Sequence, residues 1–261
     1  MLNKPAVIIL AGGLGTRISE ETTDKPKPMV LIGDRPILWH IMNSFALQGF
    51  DEFVLALGYR SDVIKRWLID LNQLDGDIVI ETGNREISHL NLQGSSNWRV
   101  TALETGLQTQ TGGRVKQAMQ SAGGRVIATY GDGLANIDVK KLLNFHEAHG
   151  KLATVSAVRP PARFGYLDLK GDVVRHFGEK NQADVGWING GYFVFEPEVA
   201  EFIHSWDEPL ETGALPRLVE AGQLNAFMHP GFWQPMDTLR EKIELTRLSQ
   251  QSPPPWLRIG E

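Results

Sequence analysis

The feature that most constrains this chain is an unbroken apolar run that ends in glycines. Ala6-Val7-Ile8-Ile9-Leu10-Ala11 leads straight into Gly12-Gly13-Leu14-Gly15-Thr16-Arg17. A run without a polar face suits a parallel strand covered on both sides. Glycines at its end leave backbone N–H groups pointing outward, where anions bind. Three kinds of phosphate loop can follow such a strand. A Walker A loop needs Gly-Lys-Ser/Thr, and none is present. A dinucleotide fingerprint needs a third small residue, but counting from Gly13 and Gly15 that position is Ile18, too large for close helix packing. Asp34 stands about where a ribose-binding acid would be, yet the segment up to Pro28 carries no apolar stripe for the helix that should follow. This argues against an NAD-dependent dehydrogenase. The remaining kind is a loop with its own cations: Arg17 within it and Lys27 ten residues later.

The rest of the chain alternates strand and helix patterns. Ile37, Leu38, Ile41, Met42 and Phe45 recur at helical spacing behind Pro36. Residues 53–57 form the next apolar strand. Ser61 is placed as the N-cap of a helix carrying Val63, Ile64, Trp67, Leu68 and Leu71. Asp77–Glu81 reads as the third strand, and this order predicts a doubly wound α/β sheet. Residues 84–98 are polar and read as a long loop or hairpin tip. Val126–Tyr130 is a further buried strand, broken by Gly131-Asp132-Gly133 and followed by a helix with Leu142, Leu143 and Phe145. From Ala153 short strands dominate, at 153–158, 166–169, 173–177 and 192–195. They predict a β-rich second half laid against the parallel sheet. A last helix begins near Thr238, with Leu239, Ile243 and Leu248 on its apolar side, and Ser252-Pro253-Pro254-Pro255 stops it. The expected fold class is α/β, a Rossmann-like doubly wound mixed sheet. One domain is expected over residues 1–261, in halves of about 1–150 and 151–261.

Charge on a transferring phosphoryl or nucleotidyl group is stabilised by Arg, Lys and divalent metal ions. Lys25-Pro26-Lys27-Pro28 holds two lysines on a segment that its prolines keep extended. Asp132 follows a strand directly, and ligands of open α/β sheets gather beyond the carboxyl ends of the strands. A carboxylate there suits Mg²⁺, which takes one or two carboxylates plus phosphates. Asp237, at the end of His229-Pro230-Gly231-Phe232-Trp233-Gln234-Pro235-Met236-Asp237, is a second candidate and reads equally well as a helix N-cap. Thr111-Gly112-Gly113-Arg114 opens a short helical pattern whose N–H groups and guanidinium suit a base edge or a phosphate. Glu179-Lys180 and Ile188-Asn189-Gly190-Gly191 suit sugar hydroxyls, although hairpin turns explain them as well. His146-Glu147-Ala148-His149 is one residue short of H-E-x-x-H and reads as a solvated helix face. Trp98 and Trp233, in polar or turn-like settings, are candidates for lining a pocket.

Composition excludes more than it asserts. Without a cysteine there is no disulfide framework, thiolate zinc site, iron–sulfur cluster or cysteine nucleophile. The 26 Lys and Arg against 31 Asp and Glu leave a net charge of −5, too acidic for bulk nucleic-acid binding. A hydrophobic fraction of 42% is ample for a core. No run approaches the ~20 apolar residues of a membrane helix, and the opening run suits no signal peptide. A soluble cytoplasmic protein is expected, with no membrane or nucleic-acid partner.

These motifs carry a resemblance. Residues 12–17 followed by Lys27 resemble the signature of sugar-phosphate nucleotidylyltransferases. Ser19-Glu20-Glu21-Thr22, Lys25-Pro26-Lys27-Pro28-Met29, residues 36–42, 111–114, 130–133, 188–191 and 229–240 are similar to the glucose-1-phosphate cytidylyltransferase family within them. The resemblance spans about residues 6–256. It implies a nucleotidyltransferase fold, like that of the glycosyltransferases of type A. It also implies the reaction of CTP with glucose 1-phosphate to CDP-glucose and pyrophosphate, feeding CDP-deoxysugars into bacterial O-antigen lipopolysaccharide. By the same resemblance Leu10, Ala11, Gly12, Gly13, Gly15, Thr16 and Arg17 would wrap the CTP phosphates, and Arg17 and Lys27 would act in catalysis. Thr109, Thr111, Gly112, Gly113 and Arg114 would lie by the nucleotide. Tyr130, Glu179, Lys180, Asn189, Gly190 and Gly191 would meet the sugar phosphate, and Asp132 and Asp237 would hold Mg²⁺. A homo-oligomer, a hexamer by resemblance, is implied. The glycines would then mark where backbone approaches ligand, with Arg17, Lys27, Arg114 and Lys180 forming a local basic pocket. The same fold using UTP or dTTP, or a catalytically silent nucleotide-sugar-binding subunit, are the rival readings.

Overall fold

The computed structural model describes residues 4–13, 15, 18–73, 77–83, 86–90, 97–160, 165–170, 172–179 and 186–260. Seven strands build the central sheet: β1 (Ala6–Ala11), β2 (Glu52–Leu57), β3 (Arg99–Glu104), β4 (Val126–Tyr130), β5 (Ala153–Val158), β6 (Ile188–Phe195) and β7 (Leu224–His229). Their order across the sheet is β7-β5-β6-β4-β1-β2-β3. All run in one direction except β6, which opposes both β4 and β5. The alternation of a strand splits the core into two layers. Val7 and Ile9 face a cluster with Ile37, Ile41, Phe45, Phe53 and Leu55, whereas Ile8 faces Val54, Ala56, Val115, Ala128 and Phe193. This is why the opening strand is apolar throughout: both of its faces are buried. Among the described residues no helix is long and apolar enough to cross a membrane.

The helix α1 (Ile37–Ala46) and the strands β1, β2, β4 and β5 stand where the patterns place them. Other expectations are corrected. Asp77–Glu81 pairs with Glu86–Leu90 as a separate antiparallel hairpin. The strand beside β2 is instead β3, which begins just after the stretch read as a loop. In the second half β5, β6 and β7 join the sheet edge to edge, while Gly165–Lys170 and Val173–Glu179, strands where the patterns place them, pair as a separate antiparallel two-stranded sheet. Ser61 is the first residue of α2 (Ser61–Gln73), not its cap, and its hydroxyl donates to Glu104 Oε1 at 2.6 Å. His146, in α4 (Val139–His149; α3 is Thr111–Ala122), is not solvated. It is 1% exposed, with Nδ1 2.8 Å from Thr154 Oγ1 and Nε2 3.1 Å from Glu196 Oε1, and burial lowers its pKa. With α5 at Ala214–Glu220, the last helix is α6 (Leu239–Ser249). Its inner face carries Glu241 and Leu245 with Leu248 beside them, while Leu239 and Ile243 stand 45% and 62% exposed.

Candidate active site at the carboxyl edge of the sheet

A cavity of about 610 Å³ opens at the carboxyl-terminal edge of the parallel strands. Leu10 and Ala11 end β1, Gly12, Gly13 and Gly15 follow them, Tyr130 ends β4, and Gly131 and Asp132 come next; all line it. The connection from β3 to α3 contributes residues 107–111. Because β6 runs backwards, its beginning lies at this edge, and Asn189 reaches the same cavity.

Lys27 is the focus of the cavity. Pro26 is extended (φ −73°, ψ 152°), as expected, but Lys27–Met29 closes into a 3₁₀ turn that buries all three residues. The Lys27 ammonium donates to Asp132 Oδ2 and to Asp237 Oδ1, both at 2.6 Å. Two carboxylates 210 and 105 residues away in sequence thus converge on one cation. The lysine stem packs beside the glycine loop. Gly15 has φ +66°, and a Cβ there would stand 3.3 Å from Lys27 Cβ and 3.0 Å from Thr22 Cγ2, so a side chain is strained in both respects.

The two readings of Asp237 are separated by the residue after it. Thr238 is the N-cap of α6: its hydroxyl accepts from the Glu241 N–H, and Glu241 completes the capping box. The Glu241 carboxylate also accepts from the N–H of Asp237 at 2.7 Å and of Thr238 at 2.9 Å. Capping therefore falls to Thr238, and Asp237 turns its carboxylate to Lys27.

Arg114 lines the cavity, but its donors point into the protein. Nη1 donates to Leu57 O at 2.8 Å and Thr105 Oγ1 at 2.5 Å, and Nη2 to Gly12 O at 3.1 Å and Leu107 O at 3.4 Å. Burial lowers its pKa. Gly12 and Gly58 make room for this guanidinium: a Cβ on either would come within 2.2 Å and 2.6 Å of Nη1. Arg114 thus ties the start of the glycine loop to β2 and β3. Of the expected basic pocket, Arg17 and Lys180 lie outside the described residues. Among the described lining residues are Lys27 and Arg114, both held by protein oxygens, and the three carboxylates Asp132, Glu211 and Asp237.

Gly112 and Gly113 do not line the cavity. They admit another segment: a Cβ on Gly112 would stand 2.7 Å from Glu208 O, and one on Gly113 2.2 Å from Trp206 O. The Gly112 N–H donates to Glu208 O at 3.1 Å and the Gln110 N–H to Trp206 O at 3.0 Å. Gly113→Ala is expected to lower the unfolding free energy by about 1–3 kcal/mol through overpacking, read by chemical denaturation. An unchanged midpoint would mean that residues 206–208 do not pack as described.

Thr109 and Thr111 do line the cavity, Thr109 with its hydroxyl donating to Thr105 O at 2.5 Å. Tyr130 donates its phenol to Glu211 Oε1. Burial, and then the Glu211 charge, push the phenol pKa far above its ordinary value, so it stays a donor. Gly190 and Gly191 shape the wall without lining it. Gly190 O accepts from Trp233 Nε1 at 2.7 Å, while Gly191, at φ +77°, donates its N–H to Asn189 Oδ1 at 2.8 Å. Trp233 lines the cavity as expected, whereas Trp98 packs its ring against Phe53 and Trp39. Thr16, Arg17 and Lys180 lie outside the described residues, as does the Glu179 side chain. Pro28 and Pro235 line the cavity within the motifs of Lys27 and Asp237, whereas Leu107, Gln108, Gln110 and Glu211 line it outside any motif read from the sequence.

Comparison with known proteins gives this site its class. The family model for nucleotidyl transferases matches residues 6–248, and the chain is an enzyme of that class. Glucose-1-phosphate cytidylyltransferase of Salmonella typhimurium is 44% identical over 253 residues, covering 95% of this chain and 97% of its own. The probable glucose-1-phosphate cytidylyltransferase of Bacillus subtilis is 37% identical, covering 95% and 98%. The crystal structure of HddC from Yersinia pseudotuberculosis, complexed with GMP-PN, has the same fold. Its TM-score is 0.69 at 24% identity, covering 94% of this chain and 99% of that one. The chain belongs to the nucleotidyl transferase family and, within it, to the glucose-1-phosphate cytidylyltransferases.

Proposed function

We propose that this enzyme transfers a cytidylyl group from CTP to glucose 1-phosphate, giving CDP-glucose and pyrophosphate. The observation that carries the reading is Lys27 held between Asp132 and Asp237 in the cavity lining. An oxygen of the sugar phosphate attacks the α-phosphorus of CTP in line as the bond to pyrophosphate breaks. The nucleophile is already an anion, so no general base is needed and catalysis is alignment and charge neutralisation. Lys27 offsets charge on the transferring group. Backbone N–H groups of the glycine loop, with Thr16 and Arg17, hold the triphosphate. Arg114 acts on the nucleotide by fixing that loop. Tyr130, Asn189, Glu179 and Lys180 meet the sugar phosphate.

The donor set fits a magnesium ion. Asp132 and Asp237 each reach one common cation, the Lys27 ammonium, so the two carboxylates converge on one part of the cavity wall. Among the described residues no group of three or more His, Asp or Glu side chains forms a metal cage, as suits an ion that leaves positions to phosphate and water. When bound, it supplies charge neutralisation for the phosphates, which the described cations alone do not provide. The reading extends to one domain of two halves, and to a cytoplasmic homo-oligomer serving CDP-deoxysugar and O-antigen synthesis.

Pyrophosphate release from CTP, UTP, dTTP and GTP, each with glucose 1-phosphate, tests the nucleotide. CTP is expected to give the highest kcat/KM. Preference for UTP or dTTP would replace the reading with the same reaction on another base. Tight binding without release would leave a silent subunit.

A further inference from the structure

We infer that Glu211 determines substrate specificity by accepting hydrogen bonds from a pair of adjacent sugar hydroxyls on one of the two substrates. The inference rests on the proposed reaction and deepens it. A carboxylate has about four acceptor positions, two on each oxygen. The Tyr130 phenol occupies one on Oε1 and the Thr111 hydroxyl one on Oε2, at 2.8 Å. Each oxygen keeps a further position, and Glu211 lines the cavity. Two parallel acceptors of this kind match two hydroxyls on neighbouring carbons.

The charge of the group selects the ligand chemistry. Its described partners are neutral hydroxyls, while Lys27 is engaged by Asp132 and Asp237. A phosphate placed against Glu211 would meet an anion whose described hydrogen-bond partners carry no charge, so this wall suits the uncharged, hydroxyl-bearing part of a substrate. The carboxylate is also held in place before any ligand arrives. The Leu210 N–H donates to Thr111 Oγ1 at 2.8 Å, and the preceding residues lie against Gly112 and Gly113. Arg217 donates to Phe202 O at 2.6 Å and to Glu208, bracing the same segment. The Gly-Gly pair at the start of α3 thus serves the cavity indirectly, by admitting the segment that delivers Glu211.

Ribose and hexose both offer such hydroxyls, and kcat/KM ratios separate them. The intact enzyme and Glu211→Gln are compared with CTP against 2′-deoxy-CTP, and with glucose 1-phosphate against its 2-deoxy and 4-deoxy analogues. The wild type is expected to prefer the hydroxylated substrate about tenfold or more in one arm. Glu211→Gln is expected to abolish that preference and leave the other arm unchanged. Glu211→Asp, which keeps the charge but withdraws it by one methylene, should erode the same ratio and serves if the glutamine variant does not fold. Ratios equal in wild type and variants, or no preference in the wild type in either arm, would overturn the inference. Wild-type turnover is read in the same assay, so failure of the parent reaction is seen separately. A wild type that prefers another triphosphate is tested with that nucleotide and its 2′-deoxy form.

Discussion

Lys27→Met is expected to lower kcat for pyrophosphate release by about 10²–10³-fold, the usual cost of removing one preorganised electrostatic stabiliser. The expectation follows from where the ammonium sits. Lys27 is 6% exposed and its charge is delivered to the cavity lining on a buried 3₁₀ turn. Methionine keeps the apolar stem beside Gly15 and Thr22, so packing survives and the charge alone is lost. Its carboxylate partners are partly exposed, at 27% and 19%, so the effect on stability is expected to be small beside the effect on rate. Steady-state kinetics with a thermal melt separate the two. A variant with normal kcat and a lowered melting temperature would make Lys27 structural only.

Asp132→Asn and Asp237→Asn are each expected to cost a comparable 10²–10³-fold, roughly, and to raise the magnesium concentration needed for half-maximal rate. The double variant should be little worse than either single one, because both act through one ion and such effects are not additive. Thr238→Ala is the control from the neighbouring position. It removes the cap and is expected to cost about 1 kcal/mol of stability, with a far smaller change in magnesium requirement. Additive losses in the double variant, or an unchanged magnesium requirement in both singles, would dissolve the proposed metal site.

The legible parts of this protein are those where one residue type answers to one force. The run from Ala6 to Ala11 is apolar because both its faces are buried, and its position fixes the carboxyl edge where the cavity lies. Lys27, Asp132 and Asp237 could be named because charged residues beside strand ends and stiff Pro-rich turns have few structural reasons to be there. Their convergence could not, since it depends on strand order across the sheet. β3 was missed because it closes one end of the sheet: Arg99, Thr101 and Glu104 are exposed and no clean apolar pattern survives. The face of α6 was misread because Glu241, a capping residue, takes an inner position while Leu239 and Ile243 stay outside. Gly112 and Gly113 carried a real signal of close approach, but the approaching group is the protein's own backbone at Trp206 and Glu208. Glu211 carried no signal, because one carboxylate after a Pro-Leu pair has no pattern to break.

The central claim is that this cavity joins a nucleotide to a sugar phosphate. It is tested most directly by following ³¹P resonances of CTP and glucose 1-phosphate in the presence of the enzyme and magnesium, then after chelation. CDP-glucose and pyrophosphate are expected to grow together in equal amounts, to stop when the metal is removed, and to resume when it is restored. Release of inorganic phosphate, pyrophosphate without a nucleotide sugar, or undiminished turnover in the Asp132→Asn/Asp237→Asn double variant would contradict it.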